Sequence, residues 1–110
     1  MNHCASEKLD GFIIVRLRGE VDLSWSQEVR AVILEAVLSD DPVGVELSQV
    51  SYIDSSGIAA LVEGFQNARG KGQRFALVAV SEPVMAVLQL ARLDQVFPIF
   101  PDLESARLTS

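Results

Sequence analysis

The chain has 110 residues, about half of them apolar (49%), with one cysteine and a formal net charge of −6. That length fits one domain, and a domain this small buries only about two-thirds of its unfolded surface, so function is expected on an outer face rather than in a deep catalytic cleft. The acidic balance argues against a nucleic-acid or anionic-membrane partner, and the single Cys4 excludes an intramolecular disulfide.

The polar start, Met1 to Asp10, does not read as a signal peptide, and no apolar run approaches the roughly 20 residues of a membrane helix. The sequence is therefore read as a cytoplasmic protein with no direct membrane insertion.

A first short strand is expected at about Ala5 to Leu9, followed by the Asp10-Gly11 hairpin signal and a second strand, Phe12 to Arg18. Gly19 to Leu23 reads as a loop. Ser24 is expected to cap a helix, with Gln27 completing a capping box. Trp25, Val29, Val32, Ile33, Ala36 and Val37 recur at helical spacing, and the helix should stop near Ser39 to Pro42. Val43 to Leu47 and Val50 to Ile53 read as one extended strand with an interruption. Asp54-Ser55-Ser56-Gly57 opens a second helix that runs to about Arg69 and stops at Gly70-Lys71-Gly72. Arg74 to Val80 is a buried strand, and Ser81-Glu82-Pro83 opens a third helix. Phe97 to Phe100 suits a short edge strand, and Asp102 to Leu108 a last short helix.

Strands alternating with helices imply an α/β fold with a largely parallel sheet and right-handed crossovers. Loops leaving the carboxyl ends of parallel strands gather on one rim, where sites form. Asp22, Asp54, Ser56 and Ser81 are expected there.

At the second helix, Ile58, Leu61, Val62 and Phe65 are expected to face the core. Ser56 lies two residues before Ile58, about 200° around the helix, and should face outward. Ala59, Ala60, Glu63, Gly64 and Asn67 would share its side as a low-relief stripe. A hydroxyl at a helix N-terminus above such a stripe suits a protein contact. It also suits phosphorylation, since backbone N–H groups and the helix dipole favour an anion there. A dianion would meet Asp54 and Asp22, and a partner docked on the stripe would be ejected. The same four residues would also serve simply as a helix cap.

Other chemistry lacks its parts. The only histidine, His3, sits near the chain start, so Ser56 has no evident base. There is no nucleophile elbow, no phosphate loop and no Cys/His cluster for zinc. Asp22 with Asp54 could instead form a carboxylate pair or cation site. Trp25 suits core packing more than a partner hot spot. No metal, cofactor or enzymatic activity is implied.

Gly19-Glu20-Val21-Asp22, Tyr52-Ile53-Asp54-Ser55-Ser56-Gly57-Ile58, Phe75 to Ser81, and Val84 to Leu93 with Phe97 carry a resemblance over nearly the whole chain. On these residues the chain resembles a STAS domain, and closely the bacterial anti-sigma factor antagonists. The resemblance implies a mixed sheet of four to five strands with three to four flanking helices. It implies a partner switch. The unphosphorylated form binds an anti-sigma factor that is a serine kinase of the histidine-kinase-like ATPase fold. That kinase phosphorylates Ser56, with Ser55 the lesser candidate, and a PP2C-type phosphatase reverses the step. Asp22 matches a carboxylate that helps kinase recognition. ATP and magnesium belong to the kinase. The partner surface comprises Asp22, Asp54, Ser55, Ser56, Gly57, Ala59, Ala60, Glu63 and Gly64, and would leave a monomer. The start of the second helix, Ile58-Ala59-Ala60-Leu61, departs from the Leu-Gly-rich start of many antagonists. It keeps open a second reading, a STAS subunit docking on the permease of a phospholipid-transport ABC system.

Overall fold

The computed structural model describes residues 2–108. Five strands form one mixed sheet in sequential order: β1 (His3–Leu9), β2 (Phe12–Val21), β3 (Val43–Ile53), β4 (Phe75–Val78) and β5 (Ile99–Phe100). Only β1 runs antiparallel to its neighbour. The β1–β2 turn places both Asp10 (φ 53) and Gly11 (φ 84) in the left-handed region, the conformation for which Asp-Gly is favoured in a two-residue hairpin. Each later strand is reached through a helix: α1 (Ser26–Leu38), α2 (Ser55–Gly70) and α3 (Glu82–Leu90), and α4 (Leu103–Leu108) closes the described chain.

The main core joins Val15, Leu17 and Val21 of β2 and Val45, Leu47 and Val50 of β3 to Val29 and Ile33 of α1, Leu61 of α2 and Leu88 of α3. A smaller cluster of Phe12, Ile14, Val78 and Ala106 lies under α4. Trp25 is buried in the main core, as its helical spacing suggested.

Several boundaries differ from the sequence reading. The segment read as a loop from Gly19 is strand as far as Val21. Gly19 (φ 111) sits at a register irregularity against β3, so it marks a bulge rather than a strand end. The interrupted third strand is continuous from Val43 to Ile53. Ser24 is not the cap of α1. Trp25 takes that position without a side-chain cap, and the Ser24 hydroxyl donates instead to Asp22 Oδ1 at 2.6 Å, so no capping box forms.

Strand β4 ends at Val78, level with Glu46, whereas β3 runs on to Ile53 beside β2 alone. The start of α3 lies against the β3 edge left free by that shortfall. Ser81 donates its hydroxyl to the Val50 carbonyl at 2.6 Å rather than capping its own helix.

Candidate functional site

The site is built where β2 and β3 end together. Val21 and Ile53 are paired, and the Asp54 N–H donates to the Val21 carbonyl at 3.2 Å. The two carboxylates that follow these strands each organise their own turn. Asp22 Oδ1 accepts from the Ser24 N–H (3.0 Å) and hydroxyl, while the Asp22 carbonyl accepts from the N–H groups of Trp25 (3.0 Å) and Ser26 (2.8 Å). Asp54 is the N-cap of α2. Its Oδ1 accepts from the Ser56 N–H (2.9 Å), the Gly57 N–H (3.2 Å) and the Ser56 hydroxyl (2.6 Å).

The Ser56 hydroxyl is the strongest influence holding the Asp54 carboxyl below its ordinary range. Burial opposes it as the next-largest effect, and the N–H groups of Gly57, Ser56 and Leu23 each add a smaller lowering influence. Leu23 belongs to the turn after β2, so the facing turn lies close enough to favour the charged Asp54 carboxylate. A carboxylate so well supplied with donors is a weak base. It clamps the Ser56 hydroxyl and does not activate it as a nucleophile.

Gly57 lets α2 approach this closely. A Cβ on it would lie 2.7 Å from both Ile53 Cγ1 and Val21 Cγ1, and 2.8 Å from the Val21 carbonyl oxygen. The glycine thus sets the height of the Ser56 turn above the sheet.

Ser55 and Ala59 are exposed, and Ser56, Asp22, Asp54 and Glu63 are half-buried. Ala60 and Gly64 do not join the outward stripe. Ala60 is 3% exposed, and a Cβ on Gly64 would collide with Ile33 of α1 and press on the Phe75 ring. The close backbone approach that the small residues signal is made by the chain's own α1. Of the residues expected to face the core, Leu61 is fully buried, whereas Ile58, Val62 and Phe65 are only partly so. Glu63 accepts a two-pronged contact from Arg30 of α1, at 2.8 and 2.6 Å, which fixes the lower border of the exposed face.

Ser81 is not beside Asp54, because β4 stops short. Sequence reasoning missed Leu23, an apolar side chain 73% exposed between Asp22 and Ser24. Its signal was an apolar residue in a polar turn, outside the periodicity of either neighbouring element. Among the described residues no group of three His, Cys, Asp or Glu side chains could hold a metal ion, and no helix is long and apolar enough to cross a membrane.

This arrangement can be set beside known proteins. The profile of the STAS domain family matches residues 3–106. The anti-sigma F factor antagonist of Paenibacillus polymyxa is 30% identical over 92 residues, 82% of this chain and 79% of that protein. An anti-sigma factor antagonist from Mycobacterium paratuberculosis superposes with a TM-score of 0.87 at 27% identity, covering 96% of this chain and 91% of the other. The Bacillus cell fate determinant SpoIIAA, solved in its phosphorylated form, shares the fold with a TM-score of 0.70 at 19% identity over 96% of each chain. The chain belongs to the STAS domain family.

Proposed function

We propose that this protein is a cytoplasmic anti-sigma factor antagonist whose binding is controlled by phosphorylation of Ser56. The observation that carries the reading is the Ser56 hydroxyl itself. It is half-buried in the first turn of a 16-residue helix and donates to Asp54 at 2.6 Å. The relatives named above are antagonists of the same family, which supports the role.

In the unphosphorylated state the exposed face of Leu23, Ser24, Ser55 and Ala59, with Asp22, Ser56 and Glu63 at half depth, receives the partner. That partner is an anti-sigma factor with serine-kinase activity, of the histidine-kinase-like ATPase fold. Phosphorylation removes the hydroxyl proton that Asp54 accepts and sets about two negative charges against that carboxylate. Neither Asp22 nor Asp54 enters an ion pair among the described residues. The added charge therefore falls beside two carboxylates that no salt bridge among the described residues neutralises, and a partner desolvating this turn is expelled. A PP2C-type phosphatase resets the switch.

Pull-down from the native host with mass spectrometry tests this directly. Wild type and Ser56→Ala should both capture a kinase-like protein, Ser56→Asp should not, and Ser55→Ala should behave as wild type. Equal capture by Ser56→Ala and Ser56→Asp would remove the switch. Capture of a membrane permease by both would instead point to the transport subunit.

A further inference from the structure

The two edges of the sheet differ in what they offer another strand. At one edge β5 has two residues and is flanked by Pro98 and Pro101, so it is short and blunted. The other edge is β1, seven residues without proline or glycine. It pairs with β2 in unbroken register from His3 facing Arg18 to Leu9 facing Phe12. Apart from half-buried Cys4, its residues are exposed.

The pairing geometry decides which of its backbone groups are open. In an antiparallel ladder, facing residues alternate between exchanging both hydrogen bonds and exchanging neither. The Ile13 N–H donates to the Pro42 carbonyl at 2.8 Å, on the β3 side, so it is turned away from Lys8, the residue facing it in β1. Alternation along β1 then turns the N–H and C=O groups of Lys8, Ser6 and Cys4 to the outer edge. The hairpin agrees, since Leu9 and Phe12 flank a two-residue turn and form a bonded pair. No strand lies beyond β1 among the described residues. The chain carries a net −6, which opposes self-association, yet this edge is balanced locally: Lys8 pairs with Asp41 at 3.4 Å and Glu7 with Arg16.

We infer that β1 docks a second copy of this chain, antiparallel, about a two-fold axis at Ser6, so that the two sheets run on as one. What singles out a second copy is that β1 matches itself. With Ser6 facing Ser6 of the second copy, and Cys4 facing Lys8 in both directions, every outward N–H and C=O of these residues is bonded. The intervening pairs set Ala5 against Glu7 and His3 against Leu9, with no like charges directly opposed. Centring on Glu7 or Lys8 instead would set each against its own charge, and centring on Cys4 or Ala5 would leave part of the strand unpaired. Isologous pairing consumes the edge in both copies, so assembly closes at two. Seven residues a side is well below the roughly 20–30 of a standard interface, so the Kd should be weak, on the order of 0.1 mM. Ser6 faces Val15, and Val21 at the rim is about 20 Å further along β2. The inference therefore does not rest on the function proposed for the rim, and the two rims of the dimer would lie at opposite ends of the joined sheet.

Sedimentation equilibrium of the full chain from about 10 μM to about 1 mM should show a monomer–dimer equilibrium. Ser6→Glu and Ser6→Lys each place like charges at the axis, where facing Cα atoms are about 5.5 Å apart, and each alone should weaken the dimer about tenfold. Mixed in equal amounts, the two variants should recover association as a heterodimer. Ser6→Pro removes an N–H that β2 does not use, so it should abolish the dimer while circular dichroism keeps the spectrum of the folded chain. The inference is overturned if the wild-type chain stays monomeric at about 1 mM, which would leave the edge to a strand of another protein, if mixing the two charged variants restores nothing, or if association survives Ser6→Pro.

Discussion

Gly57→Ala separates two opposing effects that the structure quantifies. Inside a helix, alanine is favoured over glycine by about 1 kcal/mol. Here the new methyl would sit 2.7 Å from two γ-carbons and 2.8 Å from a carbonyl oxygen. The neighbours cannot step aside cheaply. Val21 and Ile53 are β-branched, with restricted χ1, and the Val21 oxygen already accepts the Asp54 N–H. Overpacking of this kind costs about 1–3 kcal/mol. At 2.7 Å the collision should win, leaving a net loss of up to about 2 kcal/mol and lowering the melting temperature by up to about 10 °C for a domain of this size. Gly70→Ala is the internal control. It lies at the end of the same helix, and nothing stands within 4 Å of its Cβ, so propensity acts alone and stability should rise by about 0.5–1 kcal/mol. Urea denaturation of both variants gives the comparison. If Gly57→Ala were as stabilising as Gly70→Ala, the close approach of α2 to the end of β2 would be refuted, and with it the positioning of Ser56.

Two further outcomes are expected. Asp54 and Asp102 both have carboxyls held below their ordinary value, by the Ser56 hydroxyl first for Asp54 and by the Ser105 N–H first for Asp102. Their stabilisation is complete above the unfolded carboxyl value near 3.9 and is lost as pH falls through the folded one. Urea midpoints measured from about pH 5 downward should therefore drop, less steeply in Asp54→Asn; an unchanged slope in that variant would contradict the assignment. Ser81→Ala should cost about 1 kcal/mol by leaving the Val50 carbonyl without its donor. Ser81→Asp should be worse still, because a carboxylate cannot donate there. Recovery of stability by aspartate in denaturation experiments would show that the residue acts as an ordinary helix cap.

Periodicity and turn chemistry made much of the architecture legible. The Asp10-Gly11 hairpin, the apolar stripe of α1, the Asp54 cap and the proline-led α3 each carry a local signal that the fold keeps. What stayed illegible was set by neighbours. Gly19 looked like a strand end because glycine marks both turns and bulges, and only pairing with β3 distinguishes them. The small residues of α2 declared a close contact without naming its partner. Ala60 and Gly64 serve α1, while Ala59 remains outside. Ser81 fell out of the rim because the length of β4 depends on its pairing rather than on its own apolar run. Leu23 could not be placed by any period, since it belongs to none.

The crowding at Asp54 has a mechanical consequence. A single carboxylate oxygen gathers three donors from the first turn of α2, and the Leu23 N–H of the facing turn also favours its charged form. Any reaction that consumes the Ser56 proton subtracts the only side-chain contribution to that knot while leaving the backbone strands of it tied. The helix then keeps its footing. The Leu23 N–H is a backbone donor as well, so it too is unaffected, and what such a reaction would change is the charge beside the bare leucine of a different segment of the chain.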